Sequence, residues 1–187
     1  MGLIAHLHQF CELDSQAISW LENHVVEGRN AKGTLLLECE QVCNHLFFIK
    51  SGLVCGILEA PDQDHCTWLA EENALATSYY SFLSRQPSPE RIEALEDTIW
   101  EALSYDDIEE LYKKFPVTER AGRKILEAYY AQLEERWLSL QLNTAADRYK
   151  KLVLKRPALL QRVSLGKIAS YLGIKQETLS RIRAGKA

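Results

Sequence analysis

The chain has 187 residues, 47% apolar and 26% charged, with nine glycines and five prolines. That length suits one well-packed domain or two small ones, and the apolar share is enough to offset ordering entropy. Collagen-like, disordered and mucin-like readings are therefore excluded. No apolar run approaches the ~18 residues of a membrane helix. The opening Met1–His6 segment lacks a basic stretch followed by an apolar one, and His6 stands where a myristoylation signal needs Ser or Thr. The expectation is a soluble, cytoplasmic chain with no membrane partner.

Five cysteines, Cys11, Cys39, Cys43, Cys55 and Cys66, are scattered and include no Cys-x-x-Cys pair. They form a poor disulfide framework and no zinc set, so buried reduced thiols are expected, with neither metal nor cofactor.

The formal charge of −4 conceals an asymmetry. Residues 143–187 hold eleven basic side chains against Asp147 and Glu177, a net of +9, while the preceding 142 residues hold eleven basic and 24 acidic groups, a net of −13. A basic end with regular apolar spacing is the electrostatic footprint of a nucleic-acid-binding module.

In chain order, Asp14 or Ser15 can cap a helix whose apolar stripe is Ile18, Leu21 and Val25. From Lys32 to Leu103 the texture becomes that of strands. Short apolar runs at 34–37, 46–49, 53–58, 66–70, 91–95 and 98–103 are separated by Gly, Asn and Asp turn chemistry, as at Lys50-Ser51-Gly52 and Pro61–Asp64. Such spacing predicts an antiparallel roll, barrel or jelly roll. Glu71–Pro89 breaks the rhythm with Ser78, Tyr79, Tyr80, Ser81, Phe82 and Ser84. This insertion either lines a small-molecule pocket or is a lid whose aromatics fill the core.

Ser104 then caps a helix with Ile108, Leu111, Tyr112 and Phe115 on one face, and Pro116 stops it. Thr118 opens the longest helix, reaching about Leu142. Leu126, Tyr130, Leu133, Trp137 and Leu140 recur at intervals of 4, 3, 4 and 3, which is an a/d seam. The seam either packs on its own roll or pairs with a second copy in a two-fold homodimer, and the dimer is the favoured reading.

Thr144 starts a basic helix ended by Lys155-Arg156-Pro157. Ser164 caps the next, whose inner face is Leu165, Ile168, Ala169 and Leu172. Gly173 supplies a left-handed turn, and Ile174, Leu179 and Ile182 anchor a second helix on the first. Two helices joined by a tight Gly turn form a helix-turn-helix. Lys175, Gln176, Ser180, Arg181 and Arg183 remain for its outer face. Gln reads adenine, Arg reads guanine, and Glu177 accepts from cytosine or orients Arg181. Ser164 and Lys167, at the start of the first helix, suit phosphates.

The Ile168–Ile182 stretch, with Gly173 and the Glu177–Ile182 run, resembles the recognition motif of the Crp/Fnr family of bacterial transcription regulators. The order roll, long helix, helix-turn-helix is similar over essentially the whole chain, and His45–Gly52 resembles the family's sensor strand and turn. The resemblance implies an α+β fold: an antiparallel β-roll or jelly-roll sensor with flanking helices over 1–116, a dimerisation helix over 117–142, and a DNA-binding domain over 143–187 without a full wing. It implies a non-enzymatic homodimer on double-stranded DNA, contacts with RNA polymerase, and an unknown small-molecule effector. Gln176, Glu177 and Arg181 match the base-reading positions. The effector pocket would involve Thr77, Ser78, Ser81 and Arg91.

The chain departs from the cyclic-AMP-binding pattern, which pairs a Gly-Glu step with a later Arg-Ser or Arg-Thr. It reads Ala74-Leu75-Ala76-Thr77-Ser78, and Arg91 is followed by Ile92. An anionic phosphodiester needs a cationic or backbone-amide cradle, so tight cyclic AMP binding is not expected. No N-terminal cysteine cluster supports an iron–sulfur version, and His6 and His8 lie outside the roll. Two other classes stay open. A cupin-like enzyme would draw on Glu38, His45 and His65, and a ligand-free interaction scaffold would fill its own pocket with Tyr79, Tyr80 or Phe82.

Overall fold

The computed structural model describes residues 1–61 and 63–185. Its elements in order are α1 (Leu3–Leu7), α2 (Ser15–His24), β1 (Val26–Asn30), β2 (Leu35–Leu37), β3 (His45–Ser51), β4 (Val54–Leu58), β5 (His65–Ala70), β6 (Leu75–Ala76), α3 (Tyr79–Ser84), β7 (Glu90–Ala94) and β8 (Thr98–Ser104). Helices α4 (Tyr105–Lys114), α5 (Val117–Leu142), α6 (Ala145–Lys155), α7 (Leu159–Arg162), α8 (Leu165–Tyr171) and α9 (Gln176–Arg183) follow.

The strands form two antiparallel four-stranded sheets, ordered β1-β8-β3-β6 and β2-β7-β4-β5, rather than a closed barrel. All six expected strand runs are strands. Strand β1 was not legible, because Val26-Glu27-Gly28-Arg29-Asn30 carries one apolar residue and no alternation. It forms because β8 supplies a full ladder from Val26↔Ala102 to Asn30↔Thr98.

Each sheet holds a Gly opposite a Trp. Gly28 faces Trp100 and Gly56 faces Trp68, and a Cβ on either glycine would overlap the indole. The rings thus lie across bare backbone and cover it from solvent. Their nitrogens donate to Asn30 Oδ1 (2.8 Å) and Glu90 Oε2 (3.0 Å).

The molecule is layered. Leu3, Ala17, Leu21, Phe48, Leu103, Ile108 and Leu111 are buried where α1, α2 and α4 cover one sheet, while Phe47, Ile49, Val54 and Ile92 lie in the same continuous core. A second core joins Leu53, Cys55, Ile57, Cys66, Leu69 and Leu95 of the roll to Leu152, Leu159, Val163, Ile168, Ala169, Leu172 and Leu179 of α6–α9. Strand β4 shows why both cores exist: Val54 joins the first and Cys55 and Ile57 the second, so four consecutive residues are buried.

The capping readings hold. Asp14 Oδ1 accepts from Ala17 N (2.7 Å), Ser104 Oγ from Asp107 N (3.0 Å), and Thr144 with Asp147 forms a reciprocal capping box. None of the five cysteines is in a disulfide; Cys43, Cys55 and Cys66 are buried, and Cys11 and Cys39 half-buried. No described helix is long and apolar enough to cross a membrane. Gly28→Ala should destabilise the chain by about 1–3 kcal/mol, because the Trp100 ring must leave its rotamer, and chemical denaturation would read the loss.

Candidate nucleic-acid interface

Helices α8 and α9 form the expected paired unit. Gly173 adopts φ +67°, the left-handed region that lets the chain reverse, and Ile174 N donates to Ala169 O at 3.0 Å. Ala169 is buried at the crossing, where its small side chain permits close approach, and Ile168, Leu172 and Leu179 seal the pair. Arg148 of α6 braces the turn, donating to Leu172 O (2.9 Å) and Asn143 O (2.6 Å).

With Leu179 inward, Lys175, Gln176, Glu177, Ser180, Arg181 and Arg183 are all exposed on α9. Ser164 Oγ accepts from Lys167 N at 3.3 Å as the cap of α8. Lys167 itself points elsewhere: its Nζ lies 2.9 Å from Glu93 Oε1 of the roll.

That pair belongs to a wider ionic seam. Arg162 meets Glu72 (2.7 Å) and Glu96 (2.6 Å), and Arg156 meets Glu71 (2.6 Å) and Leu69 O (3.0 Å). Lys151 and Lys155 share Glu135 of α5 at 2.6 and 3.0 Å. Much of the basic tail is therefore spent inside the molecule. Among its described residues, Arg148, Lys150, Lys175, Arg181 and Arg183 make no salt bridge within 4 Å, and Arg148 instead donates to backbone carbonyls. The seam was missed in the sequence because Arg156 and Arg162 read as generic tail charge. The available signal was the acidic cluster Glu71-Glu72, just after β5, together with Glu93 and Glu96 in and just after β7.

Along α5 only Thr118 and Ala121 are buried. The a/d residues Leu126, Tyr130, Leu133, Trp137 and Leu140 are all exposed, Tyr130 to 64% and Trp137 to 58%. The helix is held at its middle and in its C-terminal half. Tyr129 stacks on Tyr79 of α3, with centroids 3.8 Å apart. Arg136 donates to Tyr171 O (2.9 Å) while lying 4.1 Å over that ring.

The anticipated effector residues do not converge. Thr77, Ser78 and Ser81 are buried with satisfied hydroxyls. Thr77 donates to His45 O (2.9 Å), Ser81 donates to Gln86 O (2.5 Å) and accepts from Cys43 N (2.8 Å), and Ser78 accepts from Ser88 Oγ (2.9 Å). Arg91 alternates with the inward Ile92 and pairs outside the roll with Glu59 (2.7 Å) and Asp64 (2.5 Å). Tyr79 and Phe82 pack internally, against Tyr129 and Tyr105, whereas Tyr80 is exposed. Among the described residues no three His, Cys, Asp or Glu side chains are grouped as a metal set, so Glu38, His45 and His65 make no shared centre.

No protein-family model matches the sequence, and no curated protein matches it. Solved structures do. FixK2 from Bradyrhizobium japonicum superposes with a TM-score of 0.73 at 17% identity, over 86% of this chain and 83% of that one. A double mutant of CooA from Carboxydothermus hydrogenoformans gives 0.71 at 19%, over 99% and 84%. A protein from Eubacterium rectale assigned to the Crp/Fnr family of transcriptional regulators gives 0.73 at 14%, over 92% and 83%. The chain has the fold of the Crp/Fnr regulators.

Within that Crp/Fnr fold, the roll interior beneath Gly56 is filled by Trp68 with Glu90, which also accepts from Thr67 (2.9 Å). The α6–α9 unit is seated on the β2-β7-β4-β5 sheet through the second apolar core, with the ionic seam around it. Its hydrogen bonds from Arg162 hold the Glu72 carboxyl down to about 2, against an ordinary 4.5. A depressed carboxylate adds stability that is complete above its ordinary value and lost as pH falls toward the folded value. Stability should therefore fall more steeply between pH 5 and 2 in the natural chain than in Glu72→Gln, as read by urea unfolding. Arg162→Ala should cost about 1–3 kcal/mol at neutral pH, because it leaves Glu72 and Glu96 facing each other unpaired.

Proposed function

We propose that the protein is a sequence-specific, double-stranded-DNA-binding transcription regulator that acts as a homodimer in the cytoplasm and is not an enzyme. The observation that carries this reading is the outer face of α9. It sets Gln176 and Arg181, with Lys175, Ser180 and Arg183 around them, on a helix braced by a glycine turn, free of intramolecular ion pairs among the described residues. Gln176 and Arg181 supply bidentate base readout, Glu177 orients Arg181 or accepts from cytosine, and Lys175, Ser180 and Arg183 hold phosphates. Ser164 adds a phosphate contact. Lys167 does so by exchanging Glu93 for a DNA phosphate, one anion for another.

Residues 1–116 act as the sensor, 117–142 as the pairing helix and 143–187 as the DNA reader. Pairing along Leu126, Tyr130, Leu133, Trp137 and Leu140 covers the exposed α5 seam and sets two copies of α9 in successive major grooves about 34 Å apart. RNA polymerase is the natural further partner of such a regulator. The effector is a small molecule other than cyclic AMP. The hydroxyls of Thr77, Ser78 and Ser81 are already engaged and Arg91 lies on the outer face, which leaves a cyclic phosphodiester no cationic cradle.

Arg181→Ala should weaken binding to a selected operator about 10- to 100-fold and relax preference at one base pair. Lys150→Ala should weaken all sequences alike and reduce the salt slope by about 1. Footprints unchanged by the first substitution would overturn the assignment of α9. Trp137→Glu should shift the dimer to monomer in analytical ultracentrifugation with the circular dichroism spectrum retained.

A further inference from the structure

A sizeable cavity lies away from the roll interior. It is bounded by the outward face of β3, β6 and β8, by α1, by α3 and α4, and by the first turns of α5, and it has a volume of about 360 Å³. Leu7, Leu46, Leu75, Phe82, Leu103 and Leu111 form most of its wall. Packed interiors leave few voids larger than a water molecule. This space holds about a dozen water-sized groups, taking roughly 30 Å³ for each, and falls in the ~300–1,000 Å³ range of small-molecule sites. Water is a poor occupant of so apolar a wall.

Besides Thr118, Cys11 and the Glu119 and Arg123 side chains, two tyrosines interrupt it. Tyr79 and Tyr112 both line the cavity, and their hydroxyls are not among the fully buried unpaired polar atoms, so they stay accessible to a ligand. Tyr112 reaches α5 at Gly122, where a Cβ would overlap its hydroxyl oxygen, so this glycine keeps open the room that the phenol occupies. Burial of the two rings pushes ionisation of both phenols to higher pH, which keeps their hydroxyls protonated as donors. The exposed lining residues Leu83, Glu119, Arg123 and Leu126 mark the mouth.

We propose that this cavity binds a small, mainly apolar molecule of about a dozen non-hydrogen atoms, whose single hydrogen-bond-accepting head, a carbonyl or carboxyl oxygen, is held by the hydroxyls of Tyr79 and Tyr112. Thr118, Ala121, Gly122 and Ile125 of α5 form one wall of the site, and Leu126 is both wall and first residue of the exposed seam. Occupancy thus acts on the helix that pairs two copies. That regulatory consequence rests on the regulator reading, whereas the binding itself does not.

The test uses purified full-length protein without DNA, titrated calorimetrically with decanoic acid and with undecan-2-one, a charged and an uncharged carrier of the same head. Saturable binding of one molecule per chain is expected for at least one probe. The Tyr79→Phe/Tyr112→Phe double variant should bind about tenfold more weakly, and Leu75→Trp, which fills the cavity, should abolish binding while thermal unfolding stays cooperative. No saturable binding of either probe up to about 1 mM, or binding that survives Leu75→Trp, overturns the site. Undiminished affinity in the double Phe variant overturns the role of the two hydroxyls. Because no DNA is present, failure of the regulator reading would leave these titrations unchanged.

Discussion

The structure depends on the seating of α6–α9 against the outward face of the second sheet. Leu159, Ile168 and Leu179 are wholly buried there, with Cys55 and Ile57 across from them. Full burial of a large aliphatic side chain contributes about 1.5–3 kcal/mol. The ion pairs around that core, partly exposed, contribute about 1 kcal/mol or less each. The apolar core therefore supplies most of the adhesion. The Arg156, Arg162 and Lys167 pairs fix which side chains meet, since a shifted seat would strand carboxylates opposite apolar surface.

That seat changes the meaning of the tail's charge. A count of +9 suggests a uniformly basic surface, yet much of it neutralises acids on the roll and on α5. What is left without an acidic partner, among the described residues, lies on α9 with Lys175 and at Arg148 and Lys150 of α6. Concentration of this kind favours a defined contact over a diffuse electrostatic one, because the paired cations are shielded from distant phosphates by their own partners.

Helix α5 links the two halves mechanically. Its second turn packs against Tyr112 at Gly122 and its middle against Tyr79 through Tyr129, while Arg136 holds Tyr171 and Leu140 touches the Gly173 turn. Alongside these contacts the a/d residues remain largely exposed. The helix, 26 residues or about 39 Å long at 1.5 Å per residue, thus contacts both the cavity and the turn that precedes α9.

Local chemistry made much of this legible. The caps at Asp14, Ser104, Thr144 and Ser164, the stop at Pro116, the Gly173 turn and six strands all follow from residue types whose backbone preferences are intrinsic. The exposed face of α9 was equally readable, because subtracting the apolar anchors leaves it. What depended on distant partners was not. Strand β1 exists only through its ladder with β8, and α1 only through the cover it provides, tied by Leu3 N to Glu101 at 2.6 Å. Arg91 looked like a ligand anchor until strand alternation placed it outside the roll, opposite in facing to Ile92. The order of amino acids determined which segments coil, extend or turn, since those choices are made within a few residues. Which faces meet, which charges cancel and where space is left unfilled were decided only when segments 60 to 100 residues apart came together, because such contacts are properties of pairs and carry no signature in either member alone.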